Sequence, residues 1–297
     1  NNFTGNSRVG GLVGNNYHGI VTNCSAAGTV HGEWVVGGFI GNNDHGTVTY
    51  SFTDGNVSND DKYTGGFIGN NDRSTVSNCY SHANVSGRSI RTGGFIGHNK
   101  VGSTVTNCYS TGNVWSLFSP PSWSVGGFCG ENDETISNCF YDNQTSGQTY
   151  SDGGTGKNTT EMKTKSTFTD AGWDFESIWY IKPDISNYPK LMWSLEVDHV
   201  INDVLELDMA RCDLAGDYFL GNDIDASNTS GWDWNGADYN GFDPIGNGTN
   251  PFTGSLDGQG YNITDLFIKR DSTDNVGLFG YVSHGTVQNV SMIENNF

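Results

Sequence analysis

Basic residues are scarce in this sequence: 14 lysines and arginines stand against 33 aspartates and glutamates, for a formal net charge of −19. Such a field repels phosphate, which argues against nucleic acids and anionic membranes as partners. Apolar residues are also few, at 34%, and no apolar run approaches the roughly 18 residues of a membrane span. The stretch from Asn1 lacks the pattern of a signal peptide, so the chain reads as mature, processed or cut from something longer. None of the six cysteines forms a CxxC pair, which leaves a zinc ribbon or thioredoxin-type motif without support.

The signatures of catalysis are missing as well. His31-Gly32-Glu33 lacks the second histidine, one helical turn away, that aims two imidazoles at one zinc. No nucleophile elbow is present, and the glycine pairs do not open helices as phosphate-binding loops must. Polysaccharide-active β-folds need clustered carboxylates on one face. The acidic candidates are Asp44 and Asp72, followed in their series by Lys100 and Asp133, and the Asp223/Asp225 pair. Each reads more simply as turn chemistry or a solvated row of charge. We expect no enzymatic activity and no cofactor beyond a weakly held calcium ion at Asn59-Asp60-Asp61 or between Asp271 and Asp274.

What the chain does have is glycine, 42 residues of it, together with abundant Asn, Ser and Thr. Glycine pairs recur at Gly10-Gly11, Gly37-Gly38, Gly65-Gly66, Gly93-Gly94 and Gly126-Gly127, separated by 27, 28, 28 and 33 residues. One repeat reads Gly-Gly-Phe-Ile-Gly-Asn-Asn, then Thr-Val-Thr-Asn-Cys-Tyr-Ser, then Gly-Asn-Val. Three short β-prone runs split by turns at such a period predict an all-β, right-handed parallel β-helix, one repeat of about 28 residues per rung.

Stacking the rungs turns equivalent residues into columns. Leu12, Phe39, Phe67, Phe95 and Phe128 form one core column, Val21, Val48, Val76, Val105 and Ile136 a second, and Val30, Val57, Val85 and Val114 a third. Cys24, Ser51, Cys79, Cys108 and Cys139 share a column and are expected to be buried free thiols, because stacked geometry rarely gives the dihedral of a disulfide. Asn16, Asn43, Asn71, Asn99 and Asn132 form an unbroken column expected to pass hydrogen bonds between rungs, and Asn23, Asn78, Asn107 and Asn138 form another, interrupted by Tyr50.

Gly-Gly-Phe-Ile-Gly-Asn-Asn, with the run Val105 to Val114, resembles the GLUG repeat of bacterial and archaeal surface proteins, over about half the chain. Phe219 to Ala226, Phe252 to Gly258, and Gly172 to Phe175 through Pro189 to Leu191 resemble segments that flank such repeats. The resemblance implies a secreted or cell-surface β-helical module used in adhesion or surface layers, and no single biochemical activity.

Four regions are expected: rungs over 1–140, a C-terminal cap over 141–193, a capping helix over 194–213, and the first rungs of a second β-helix over 214–297. Thr159 with Glu161 and Met162 would cap a short helix with Phe168 on its buried side. Trp173, Phe175, Trp179, Tyr180 and Trp193 would form an aromatic lid. Val197 to Leu207 carries apolar residues at helical spacing.

Asn-x-Ser/Thr occurs at Asn2, Asn23, Asn56, Asn84, Asn143, Asn158, Asn228, Asn247, Asn262 and Asn289, dense enough to suggest a glycosylated, extracellular protein. Outer-turn sites such as Asn56, Asn84 and Asn143 are favoured, and Asn23 is spared if its column is buried. The longest interval between glycine pairs holds an apolar insertion with Trp115, Leu117, Phe118 and Trp123, a candidate contact for a glycan or a neighbouring fibre. Superposing Asn1-Asn2-Phe3 on Asn295-Asn296-Phe297 gives a period of about 294 residues and restores a normal rung across the join. The functional expectation is therefore a structural module of an extracellular fibre, sheath or giant adhesin that associates with itself end to end, with a glycan-binding adhesin as the alternative and a polysaccharide-active enzyme third.

Overall fold

The computed structural model describes residues 1–88, 91–117, 125–182, 187–234 and 237–294. It divides into two compact units, Asn1–Trp173 and Asp174–Phe297. Both are built from parallel strands stacked as a β-solenoid.

In the first unit every complete turn passes through four parallel stacks, the last crossed by one strand in Phe52–Asn59 and by two in the later turns, Tyr80–Ser81 with Asn84–Gly87 and Tyr109–Ser110 with Val114–Ser116. Val35–Gly37, Ile40–Asp44, Thr47–Thr49 and Phe52–Asn59 make up one such turn. The sequence suggested three runs per turn. Val35–Gly37 lies ahead of the Gly-Gly-Phe bend that separates it from Ile40–Asp44, and the second run is split at its left-handed residue, Thr47–Thr49 from Phe52–Asn59. The first glycine of each pair is required by close approach: a Cβ on Gly37, Gly65 or Gly93 would lie 2.0, 1.9 or 2.0 Å from the carbonyl oxygen of Ile40, Ile68 or Ile96.

The register is uniform. Val21, Val48, Val76, Val105 and Ile136 pair in sequence across one stack, and Phe3, Val30, Val57, Val85 and Val114 across another. Phe39, Phe67, Phe95 and Phe128 are fully buried, their rings stacked at centroid distances of 4.6, 4.8 and 4.8 Å. Burial of each such ring stabilises the rung by roughly 1.5–3 kcal/mol, and the ring spacing is the rung spacing of a parallel sheet. Leu12 heads this column in the outermost rung and is 45% exposed.

All six cysteines are free. Cys79, Cys108 and Cys139 are buried in one column, where burial and then the neighbouring thiols push Cys108 well above the usual thiol range. Small thiols fill a narrow interior here as apolar groups.

The Asn23, Asn78, Asn107 and Asn138 column is a left-handed turn, with φ of 52° at each. Asn tolerates that conformation because its short polar side chain bonds locally. Tyr50 holds the same turn at φ 49°.

The end of this unit folds over the last rung. Asn158 and Glu161 cap each other reciprocally, Glu161 N donating to Asn158 Oδ1 and Asn158 N to Glu161 Oε2, both at 2.9 Å. The reciprocal partner of Glu161 is thus Asn158 rather than Thr159, and the N-cap positions of Glu161–Lys163 and Lys165–Thr169 are Thr160 and Thr164. The helix Lys165–Thr169 buries Phe168, as expected, and Trp173 packs 4.8 Å from it while donating Nε1 to the Asn138 carbonyl at 2.9 Å.

The second unit begins earlier than the boundary expected near residue 193, because Phe175, Trp179 and Tyr180 are buried within it. Tyr180 Oη donates to Asp208 Oδ2 at 2.8 Å, and Trp179–Tyr180 pairs antiparallel with Lys190–Leu191. The apolar run after Glu196 is only partly helical. Val200–Ile201 forms a strand against Phe219–Leu220, and the helix is confined to Val204–Met209, opened by Asp203, whose side chain accepts from Leu205 N and Glu206 N. Asp217–Leu220, Ser255–Asp257 and Thr286–Gln288 then stack in parallel, as do Ile224–Asp225, Asn262–Thr264 and Ser291–Ile293. Their core holds Tyr218, Leu220, Phe242, Ile245, Phe252, Leu256 and Ile263.

The left-handed turn column yields a test of this description. A non-glycine residue in the left-handed region carries a penalty of roughly 1–2 kcal/mol that Asn largely avoids. Tyr50→Asn should therefore stabilise the chain by about 1 kcal/mol in urea denaturation; a loss of stability would show that the Tyr50 ring contributes more than its backbone costs.

Candidate functional sites

The asparagine ladder lies where the repeat places it. Asn16 Nδ2 donates to Asn43 Oδ1 at 2.8 Å, Asn43 to Asn71 and Asn71 to Asn99 at 2.9 Å, and Asn99 to Asn132 at 2.8 Å. Asn43, Asn71 and Asn99 are fully buried. Each interior amide both donates and accepts along the stack, which satisfies polar groups that burial would otherwise penalise. A second ladder, not recognised in the sequence, runs beside it in the opposite sense: Asn70 Nδ2 donates to Asn42 Oδ1 at 2.7 Å, and Asn42 Nδ2 to Asn15 Oδ1 at 2.6 Å. Its signal was the doubling of Asn in each repeat.

The carboxylates of the catalytic reading are engaged in turns and local pairs. Asp44 Oδ1 lies 2.6 Å from His45 Nδ1. Asp72 is paired with Arg73 at 3.4 Å and Lys100 at 3.3 Å. Asp223 accepts from Asn262 N, and Asp225 from Ser227 N, which holds the Asp225 carboxyl below its usual range. Of the calcium candidates, Asn59 Oδ1 accepts from Asp61 N in a turn, and Asp60 faces His31 at 3.6 Å. Lys269 pairs with Asp238 beside the Asp271 to Asp274 turn. Among the described residues, three or more metal-ligand side chains converge only at His98, Glu131 and Asp133.

Trp115 does not project from a turn. It lies in the strand Val114–Ser116, opposite Ser86, and is 52% exposed; Leu117 follows at 50%. Phe118 and Trp123 fall outside the described residues, as do Asn295 to Phe297, on which the tandem period rests. The second unit also holds a buried ionic network. Arg211 bonds Asp208 and Asp243, and Arg270 bridges Asp243 and Asp233 at 3.1 and 3.0 Å. Burial opposes the Arg211 charge, but Asp208 and Asp243 outweigh it and raise its pKa. The only hint was the spacing of Asp208 and Arg211.

The sequons differ in accessibility. Asn56, Asn84 and Asn228 are exposed, the first two on strands rather than turns, while Asn143, Asn158, Asn247 and Asn262 are half-buried. Asn247 Nδ2 donates to Glu176 Oε2 at 2.6 Å and Asn262 Nδ2 to Asp223 Oδ1 at 3.3 Å. Asn23 is exposed, so burial does not shield it.

Among the described residues no helix is long and apolar enough to cross a membrane. The GLUG motif matches residues 5–30, 60–86 and 89–114. Halomucin of Haloquadratum walsbyi is 42% identical over 101 residues, 33% of this chain and 1% of halomucin. A chain described as a Gly-rich membrane protein of Evansella cellulosilytica is 45% identical over 71 residues, 22% of this chain and 8% of that one. The matched stretches are thus small fractions of both relatives. A chain described as an immunoglobulin A1 protease from Bacteroides ovatus superposes with a TM-score of 0.42 at 19% identity, covering 65% of this chain and 56% of its own.

If the folded surface governs glycosylation, glycopeptide mass spectrometry should find Asn56 and Asn228 modified in preference to Asn247 and Asn262. The reverse order would show that side-chain accessibility in the fold does not select the sites.

Proposed function

We propose that this chain, a β-solenoid carrying the GLUG motif in three of its repeats, is a non-enzymatic structural module of an extracellular surface fibre, sheath or giant adhesin. The observation that carries the reading is a repeat complementary to itself: in the first unit successive rungs pair in parallel and in one register in every stack. The face of one such rung is a template for another.

A neighbouring module or second copy, arriving head to tail, is the occupant whose chemistry fits, because the repeat is already complementary to itself. The similarity to halomucin and to a chain described as a membrane protein supports a surface location. The continuation is either covalent, as one period of about 294 residues in a tandem array, or by stacking of separate copies. A tryptic peptide running from Asp271 through Phe297 into Thr4 distinguishes the array.

The alternative, glycan binding by an adhesin, is favoured by the half-exposed Trp115 and Leu117, since bare aromatic rings stack on sugars.

The structural reading predicts concentration-dependent end-to-end oligomers, seen by electron microscopy and sedimentation. The charge placed on the Asn2–Thr22 rung by Ile20→Lys with Leu12→Glu should abolish them, while Trp115→Ala leaves them intact. Oligomers indifferent to the first pair, or a chain monomeric at every concentration, would contradict it.

A further inference from the structure

Two neighbouring columns of the first unit change character together in its later rungs. One carries amides at Asn15, Asn42 and Asn70, then His98, then Glu131, all in register. The other runs Val35, Tyr63, Arg91. The adjacent ladder from Asn16 to Asn132 passes through the same rungs unaltered, so rung stacking does not demand the change.

The replaced positions form a set of donors. His98 Nε2 lies 2.8 Å from Asp133 Oδ2 and 3.9 Å from Glu131 Oε1, and the three ligand atoms all fall within 4.8 Å of one another. Arg91 grips the Glu131 carboxylate, with Nη2 3.0 Å from Oε1, while its Nη1 donates to Tyr63 Oη at 2.8 Å. That clamp fixes Glu131 and offsets one of the two negative charges.

His98 is only 6% exposed, and its Nδ1 is buried without a hydrogen-bond partner. So is Asn70 Oδ1, on the residue paired with His98 in the preceding rung. An imidazole that ligates a metal through Nε2 keeps its proton on Nδ1 and normally donates it to an oxygen acceptor. Asn70 Oδ1 is an unsatisfied acceptor in the same column but does not bond Nδ1 in this structure; a proton held on Nδ1 leaves the Nε2 lone pair facing the two carboxylates.

We propose that His98 Nε2, Glu131 Oε1 and Asp133 Oδ2 bind a divalent transition cation of the Zn2+ class, with Arg91 as the positioning residue for Glu131. One imidazole and two carboxylates suit a borderline cation, whereas Ca2+ prefers six or more oxygens and Mg2+ keeps its water. Binding takes the place of the Nε2 contact with Asp133. The site sits on the flank of the solenoid and is independent of the rung-to-rung stacking proposed above.

Isothermal titration of the full chain with Zn2+, near neutral pH and in excess Ca2+, tests this directly. One equivalent should bind. Asp133→Asn, at a solvent-exposed position that leaves the core intact, should weaken binding at least about tenfold, and His98→Gln should remove it. Cobalt provides a second readout: Co2+ should give a visible ligand-field band in the parent chain that is lost in Asp133→Asn, whose fold is checked by circular dichroism. No binding to the parent chain, or equal affinity in both variants, would overturn the assignment.

Discussion

The structure of the first unit depends on one constraint, that successive rungs stack in a single register. Parallel main-chain pairing sets the register, and the buried amide ladder from Asn16 to Asn132 enforces it, because a slip would leave several interior amides without partners. The second ladder, Asn15 to Asn70, runs with the opposite donor direction, so the repeats as far as Asn70 are keyed twice at the same turn. Apolar contacts are tolerant of small displacements; paired amides at 2.6–2.9 Å are not.

Once the register is fixed, the rest of the repeat follows. Phenylalanine stacks on phenylalanine at the rung spacing, valine on valine, and thiols fill the narrow column between. The first glycine of each pair leaves room for the carbonyl three residues on, and the second for the carbonyl of the next rung in every pair but the last, where Gly127 makes room for the Tyr141 ring. These small columns explain how a chain with so few apolar residues sustains a core: the core is long and thin, and each rung need cover only its neighbours.

Much of this was legible because a repeat reports its own contacts. Phe39, Phe67, Phe95 and Phe128 align by counting, and so do the valines and the first asparagine ladder. Features without a period were harder to see. The four-strand turn was hidden because Val35–Gly37 lies ahead of the run that Gly-Gly-Phe opens and because a left-handed residue splits the run after it. The helix after Glu196 was overestimated because Val200 and Ile201 suit a strand as well as a helix, and a strand partner was available at Phe219–Leu220. The network of Asp208, Arg211, Asp243, Arg270 and Asp233 brings together residues far apart in sequence, and only the spacing of Asp208 and Arg211 announces it locally. His98 and Glu131 stand where the repeat has Asn, a departure visible in the sequence whose meaning depends on Asp133 and Arg91 converging with them.

A solenoid of this kind transmits order along its axis, which suits a module whose neighbours continue it. The central claim is that the rungs are coupled through the ladder rather than merely adjacent. Native-state hydrogen exchange on the Asn71→Ala chain tests it most directly. Coupled rungs require that amides in Ile40–Asp44 and Ile96–Asn99 lose protection along with those in Ile68–Asp72; loss confined to Ile68–Asp72 would contradict the account.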